Sequence, residues 1–107
     1  MKTKTWHEVA CLSDLVPDQA LAVRIGDKEI AVAKVEGELH AFSNVCTHAY
    51  ALLSDGFLED HVIVCPLHEA EFCVKTGKAL RLPATIDLQV FPVRVEAERI
   101  LVAVEDD

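Results

Sequence analysis

Two short motifs bring four potential metal ligands together in the sequence. The first reads C-T-H at residues 46–48, and the second, after sixteen intervening residues, reads C-P-L-H at residues 65–68. Thiolates and neutral imidazoles bind iron or zinc, and a tight loop could direct both side chains of each motif to one point. The candidate ligands of the predicted metal site are Cys46, His48, Cys65 and His68.

The spacing within the first motif argues against a single metal ion. Paired ligands of a zinc site usually have roughly two to four residues between them, and the single residue Thr47 fits this pattern poorly. Two bridged metal atoms would allow each loop to give one ligand to each atom, which suits a Cys and a His on both loops. A structural zinc module with the same four ligands stays open as an alternative.

The two motifs, followed by Phe72 and the T-G-K turn at residues 76–78, resemble the Rieske-type ferredoxins of bacterial aromatic-ring-hydroxylating dioxygenase systems. The resemblance extends over nearly the whole chain, from Trp6 to Val104. It implies a small fold that carries one Rieske-type 2Fe-2S cluster. It also implies that the irregular stretch around Pro83 packs near the cluster.

The resemblance also assigns the ligands to the two irons. Cys46 and Cys65 would bind one iron, and His48 and His68 would bind the other. The family often has Gly directly after the second histidine, where this chain has Glu69. If this position needs a positive φ, Glu is costly there, because its Cβ crowds the backbone.

Length and composition favour one domain. A chain of 107 residues with 51% hydrophobic and 26% charged residues can form a single core, so we expect one Rieske domain over residues 1–107 with a cluster-binding subdomain at about 44–82. No apolar run approaches the roughly 18 residues of a membrane span, and the first residues lack the apolar segment of a signal peptide. We therefore expect a cytoplasmic monomer without a membrane partner.

The remaining cysteines and histidines have no spaced partners in the sequence. Cys11 and Cys73 are expected to be buried small side chains in a reducing compartment. The histidines outside the motifs, His7, His40 and His61, are expected on surface strands or turns.

The net charge of −8 argues against a nucleic-acid partner, because phosphate binding needs clustered Lys and Arg. Between residues 46 and 72 the chain has no Lys or Arg and five carboxylates, namely Asp55, Glu59, Asp60, Glu69 and Glu71. The negative electrostatic field of these carboxylates would favour a partner with a basic docking face. The alternative is that these are ordinary solvated charges of an acidic protein.

The chain is patterned as short strands. Apolar residues alternate in several segments, which are separated by turns such as Gly26-Asp27 and Glu36-Gly37. Strands are predicted at residues 6–10, 21–25, 30–32, 39–42, 61–64, 71–74, 88–96 and 99–104, with Pro92 marking a bulge or an edge. We predict an all-β, Rieske-type sandwich or barrel of short antiparallel strands with a small cluster-binding subdomain. Both ligand loops are expected to project from one small sheet.

Function is predicted from the resemblance and from what the sequence lacks. It has no glycine-rich nucleotide fingerprint and no substrate domain with a mononuclear iron site. The chain is therefore expected to be a one-electron carrier in aromatic hydrocarbon catabolism rather than an enzyme. Its expected partners are an NAD(P)H-dependent flavin reductase and the terminal Rieske oxygenase. The alternative is a Rieske small subunit of another redox enzyme, such as a nitrite-reductase-like assembly.

Overall fold

The computed structural model describes residues 3–47, 51–67, 69–82 and 84–105. These residues form eleven β-strands and two one-turn 3₁₀ helices, Leu12–Asp14 and Leu53–Asp55. Helices of one turn are far too short to cross a bilayer, so no helix in these ranges spans a membrane. The strands are β1 Lys4–Cys11, β2 Leu21–Ile25, β3 Lys28–Val35, β4 Glu38–Ser43, β5 Phe57–Glu59, β6 Val62–Val64, β7 Glu71–Cys73, β8 Ala79–Arg81, β9 Val90–Phe91, β10 Val93–Glu96 and β11 Arg99–Glu105.

Seven strands form the base of the molecule as two antiparallel sheets. One sheet has the order β1-β11-β10 and the other has the order β2-β3-β4-β9. Their facing side chains form a buried core of Ile30, Val32, Ala41, Ile100, Val102 and Val104. The predicted all-β sandwich of short antiparallel strands is therefore confirmed, with β1 at a sheet edge as expected.

Strand β3 is buried on both faces and joins the base to a second core. Ile30 and Val32 point into the base, whereas Ala31 and Ala33 belong to a core shared with the sheet β5-β6-β7-β8. The other members of this second core include Phe42, Leu53, Leu58, Ile63, Phe72, Val74 and Leu88. The four-stranded base sheet is thus the middle layer, and the small sheet covers its outer face.

The predicted strand over residues 88–96 is divided at Pro92. Strand β9 ends at Phe91 in the four-stranded base sheet, and β10 begins at Val93 in the three-stranded sheet. Pro92 has no N–H to donate, but its carbonyl accepts a hydrogen bond from the Ala103 N–H at 3.0 Å. The proline therefore marks the point at which the chain crosses from one sheet to the other.

Two short strands lie where the sequence predicts turns or irregular structure. β5 occupies residues 57–59 between two predicted turns, and β8 occupies residues 79–81 in a segment predicted to be irregular. Each has three residues and one sheet neighbour, so pairing with that neighbour, rather than a repeat in the sequence, decides its conformation.

The expectations for the isolated cysteines and for His40 are wrong. Cys11 ends the edge strand β1 and is exposed, and Cys73 is only half-buried. His40 lies on β4 with 11% of its side chain exposed, and its ring centroid is 5.8 Å from that of His61. Burial lowers the pKa of His40. The nearby Glu38 carboxylate opposes this shift, whereas the charges of His61 and Lys75 lower the pKa further.

Candidate metal centre

The first ligand loop continues strand β4. Val45 forms an isolated antiparallel bridge with Leu52, and the Cys46 N–H donates to the Ala51 carbonyl at 2.9 Å. This closes a hairpin loop in which residues 47–50 separate Cys46 from Ala51. Cys46 therefore stands at the base of the loop, where two backbone strands hold it.

The second ligand loop joins β6 to β7. Val64 pairs with Glu71, and the Cys65 N–H donates to the Ala70 carbonyl at 2.7 Å. Residues 66–69 separate Cys65 from Ala70, so this loop has the same length and the same closing hydrogen bond as the first. The loops nevertheless extend from different sheets, which corrects the expectation that both project from one small sheet.

The two cysteine side chains are buried and meet each other. Cys46 is 3% exposed and Cys65 is 1% exposed. Burial raises the pKa of the Cys65 thiol, the Leu67 N–H that donates to its Sγ at 3.4 Å opposes this, and the hydrogen-bonded Cys46 thiol raises it further. Two desolvated thiols in contact form a site for a cation that replaces their protons.

The two candidate histidine ligands, His48 and His68, lie outside the described residues. Within the described ranges, no group of three or more His, Cys, Asp or Glu side chains is arranged to hold a metal ion. Their assignment as ligands therefore stays a prediction. The described part of the site is the cysteine pair.

The cysteine pair fits two sulfur ligands of an iron–sulfur cluster. The sulfurs come from loops of equal length, water is excluded from both, and a backbone N–H points to one of them. Backbone N–H groups that donate to sulfur stabilise the negative charge of a metal-bound thiolate. Both cysteines are free rather than joined in a disulfide.

A third segment lies against the first ligand loop. The Thr47 hydroxyl donates to the Ile86 carbonyl at 2.6 Å. The segment that contains Ile86 is held in turn by two hydrogen bonds, from the Leu88 N–H to the Gly77 carbonyl at 2.7 Å and from the Ala79 N–H to the Asp87 carboxylate at 2.8 Å. Pro83 lies outside the described residues, so its predicted packing near the cluster stays a prediction.

Two glycines allow close backbone contacts that support the site. A Cβ on Gly56 would lie 1.9 Å from the carbonyl oxygen of Val64, which precedes Cys65. A Cβ on Gly77, whose φ is +81°, would lie 2.2 Å from the Leu88 carbonyl oxygen. Both positions therefore require glycine, because real Cβ atoms do not approach other atoms so closely.

Four of the five carboxylates between residues 46 and 72 are exposed, and the fifth, Glu71, is half-buried and paired. Glu71 accepts a hydrogen bond from Arg81 at 3.0 Å, and this bond together with the charges of Glu71 and Glu69 raises the pKa of the Arg81 guanidinium. The fold thus places the cationic Arg81, which lies outside residues 46–72 in the sequence, beside the carboxylates of that segment. Glu69 has φ +56°, so the expected positive φ after the second motif is present, and a glutamate adopts it.

Sequence reasoning missed three residues that shape the site. Asn44 and Thr47 hydrogen-bond around the first loop, and Gly56 contacts the strand that leads to Cys65. The signals for the first two were a polar residue two positions before the C-T-H motif and a hydroxyl within it. Gly56 gave no distinct signal, since Asp-Gly is also an ordinary turn sequence.

Comparison with known proteins identifies the family. The Rieske [2Fe-2S] domain family matches residues 5–92. The chain is 46% identical over 103 residues to the ferredoxin component of the naphthalene 1,2-dioxygenase/salicylate 5-hydroxylase systems of Ralstonia sp., covering 96% of this chain and 99% of that protein. The chain therefore belongs to the Rieske 2Fe-2S family. The cofactor of the site is one Rieske-type 2Fe-2S cluster, which excludes the structural zinc module.

Solved structures agree with this assignment. The Sphingomonas yanoikuyae B1 ferredoxin matches with a TM-score of 0.87 and 28% identity, covering 92% of this chain and 97% of that one. A chain from the complex of reduced oxygenase and oxidized ferredoxin in carbazole 1,9a-dioxygenase matches with a TM-score of 0.85 and 38% identity, covering 92% of both chains. The predicted Rieske-type fold is thus confirmed.

The alternative assembly has weaker support. A putative NADH-dependent nitrite reductase small subunit from Mycobacterium tuberculosis matches with a TM-score of 0.84 but only 24% identity, covering 95% of this chain and 96% of that one. At this identity the likeness shows a shared fold and nothing further.

Proposed function

We propose that this chain is the ferredoxin of an aromatic-ring-hydroxylating dioxygenase system. It would carry single electrons from an NAD(P)H-dependent flavin reductase to the terminal oxygenase. The observation that carries the proposal is the match over nearly the full length to ferredoxin components of such systems, combined with the buried thiol pair of the two loops. The chain would perform no bond chemistry of its own.

In this proposal the whole chain is one Rieske domain whose cluster-binding part covers residues of about 44–82. Cys46 and Cys65 would bind one iron, and His48 and His68 would bind the other. When bound, the cluster supplies a site that gains and loses one electron. The residues of the chain exclude water from the sulfur side and fix the spacing of the two loops.

The surroundings of the second loop favour a low reduction potential. Ala70 and Phe72 are buried, apolar and directly next to the loop. A low-dielectric surrounding disfavours the additional negative charge of the reduced state. We expect a midpoint in the lower half of the roughly −150 to +300 mV range of Rieske centres, measured by protein-film voltammetry. A midpoint in the upper half would contradict this account of the site.

The partners would recognise the end of the molecule that carries the loops. One of the similar structures comes from a complex between a ferredoxin and its oxygenase, which supports an oxygenase partner for this chain. A reductase partner and a cytoplasmic location complete the proposal, since NAD(P)H is the cytoplasmic reductant. The exposed carboxylates around the loops would favour basic surfaces on these partners.

Two measurements test the proposed function. The purified protein is first analysed for iron and acid-labile sulfide, with two of each expected per chain and a rhombic electron paramagnetic resonance signal after reduction. It is then combined with a flavin reductase and a naphthalene or biphenyl oxygenase, and the loss of the aromatic substrate is followed. Cys65→Ser serves as the control that cannot hold the cluster. No substrate loss beyond this control, with a fully loaded ferredoxin and each oxygenase, would overturn the proposal.

A further inference from the structure

Asn44 is the one polar side chain that is fully buried among the described residues. It is 1% exposed and lies two residues before Cys46, between the end of β4 and the first ligand loop. A buried amide is unfavourable unless its donor and acceptor are both satisfied. Its presence at this position therefore indicates that its hydrogen bonds do something that an apolar residue would not.

Three of the hydrogen bonds of Asn44 close the first loop, and the fourth attaches the loop to β3. The Asn44 Oδ1 accepts from the Ser54 N–H at 2.8 Å, and the Asn44 Nδ2 donates to the Ser54 hydroxyl at 3.0 Å. The Asn44 carbonyl accepts from the Leu53 N–H at 2.8 Å, and its N–H donates to the Glu29 carbonyl at 2.9 Å. One residue thus ties the two ends of residues 44–54 to each other and to β3.

The same contacts connect the two ligand loops. Ser54 lies in the 3₁₀ helix Leu53–Asp55, which Leu53 anchors in the core and which Gly56 follows as the C-cap. Gly56 packs directly against the carbonyl of Val64, the residue before Cys65. A displacement of Ser54 would therefore be transmitted to the strand that delivers the second thiol.

Backbone hydrogen bonds alone would not fix this geometry. The bridge between Val45 and Leu52 and the bond from Cys46 to Ala51 set the register of the first hairpin. The bond from the Leu53 N–H to the Asn44 carbonyl attaches the first residue of the 3₁₀ helix to the hairpin, and none of these three bonds involves Ser54. The bidentate contact between the Asn44 amide and Ser54 fixes the orientation of the helix about this attachment, because it involves both polar atoms of a planar group.

We propose that Asn44 is a positioning residue of the metal centre, which acts through Ser54 to fix the spacing between the Cys46 and Cys65 thiols. This inference rests on the proposed function, since it concerns the same cluster. It predicts that loss of the Asn44 amide increases the rate of iron release from the cluster more than an equally destabilising substitution elsewhere in the protein does.

The test measures the rate at which iron passes from the oxidised holoprotein to a coloured chelator. Asn44→Ala is expected to release iron about tenfold faster than the native protein and Ser54→Ala about threefold faster. Because both substitutions disrupt the same hydrogen-bonded pair, the iron-release rate of the double variant should be within about twofold of that of Asn44→Ala. Ser54→Thr, which keeps the hydroxyl, should release iron at the native rate. A shifted reduced-state resonance signal in Asn44→Ala is the second readout.

Val102→Ala is the matched control, since it weakens the buried core of the base and lies away from both loops. Its release rate should stay within about twofold of the native rate at a temperature below its unfolding transition. Equal release from Asn44→Ala and Val102→Ala would overturn the inference, and so would additive effects of the two single variants. If Asn44→Ala does not accumulate as folded protein, the difference between Ser54→Ala and Ser54→Thr decides, and equal rates for these two would overturn it.

The outcome for the native protein separates this inference from the proposed function. A native protein without iron and sulfide would overturn both. A loaded native protein whose iron release does not respond to Asn44→Ala or Ser54→Ala would overturn the inference alone.

Discussion

The two ligand loops are hairpins of equal length that are restrained in different ways. Each begins at a buried cysteine whose N–H donates to the carbonyl of the alanine five residues later, at 2.9 Å in the first loop and 2.7 Å in the second. The first loop is held from outside by side chains, through Asn44 and Thr47. The second is held by its own short strands, β6 and β7, and by the left-handed backbone of Glu69.

The difference follows from the position of each loop in the fold. The second loop joins adjacent strands of one sheet, so the sheet supplies its geometry. The first loop leaves a base sheet and returns through a 3₁₀ helix toward another sheet, and in the described residues its pairing is limited to the Val45–Leu52 bridge and the backbone bonds that flank it. Side-chain hydrogen bonds supplement this short pairing, and substitutions should therefore act on the two loops through different mechanisms.

The largest expected effect is that of Gly56→Ala, which tests the contact between the loops. The new Cβ would lie 1.9 Å from the Val64 carbonyl, so the strand that leads to Cys65 must move. We expect a loss of about 3 kcal/mol in unfolding free energy, measured by guanidinium titration, together with a low iron content. The control is Gly26→Ala, which adopts a positive φ but meets no atom within 4 Å. It should cost about 1 kcal/mol and leave the iron content unchanged.

Thr47→Val removes an external restraint of the first loop. The hydroxyl donates to the Ile86 carbonyl at 2.6 Å, and valine keeps the shape without the donor. We expect a loss of about 1 kcal/mol and faster iron release, whereas Thr47→Ser should retain the native values. A native-like Thr47→Val together with a destabilised Thr47→Ser would show that the methyl group, and not the hydrogen bond, holds this contact.

Glu69→Gly should stabilise the protein by relieving the strained backbone of the second loop. At φ +56° a glycine has no Cβ to crowd the backbone. The greater flexibility of glycine in the unfolded chain offsets part of this relief, so the unfolding free energy should rise by about 0.5–1 kcal/mol. Glu36→Gly is the matched control, since Glu36 has φ +51° in the β3–β4 turn of the base. Both should raise the melting temperature. A lower melting temperature for Glu69→Gly alone would mean that the Glu69 carboxylate makes a favourable contact that exceeds the strain.

The smallest expected effect is a pH dependence that arises outside both loops. The pKa of His40 is lowered in the folded protein, so the unfolded chain binds more protons as the pH falls below the ordinary value of about 6.5. His40 therefore costs no stability above that value, and its destabilising effect grows as the pH falls toward the folded-state pKa. Guanidinium titrations at several pH values between 7.5 and 5 give the unfolding free energy as a function of pH. This free energy should fall less steeply with decreasing pH for His40→Gln than for the native protein. An identical slope would exclude His40 as a source of this dependence.

Much of the fold could be predicted because its signals are local. Alternating apolar residues separated by glycine turns predict β2, β3 and β4, and the Ala97-Glu98 turn between β10 and β11 is where the pattern places it. The three-residue strands β5 and β8 could not be predicted, because their conformation depends on a neighbouring strand. The environment of His40 was also beyond the sequence, since its ring contact joins β4 of the base to His61 in the turn between β5 and β6.

The sequence by itself predicted the type of metal centre, because the identity and spacing of the candidate ligands Cys46, His48, Cys65 and His68 are local properties of two short motifs. It also determined the all-β class, since a period of two is visible in single segments. Only the tertiary structure decided that the two loops extend from different sheets, and that Asn44, Ser54 and Gly56 link them. Such contacts join residues that no local pattern relates, so they exist only once the sheets have packed.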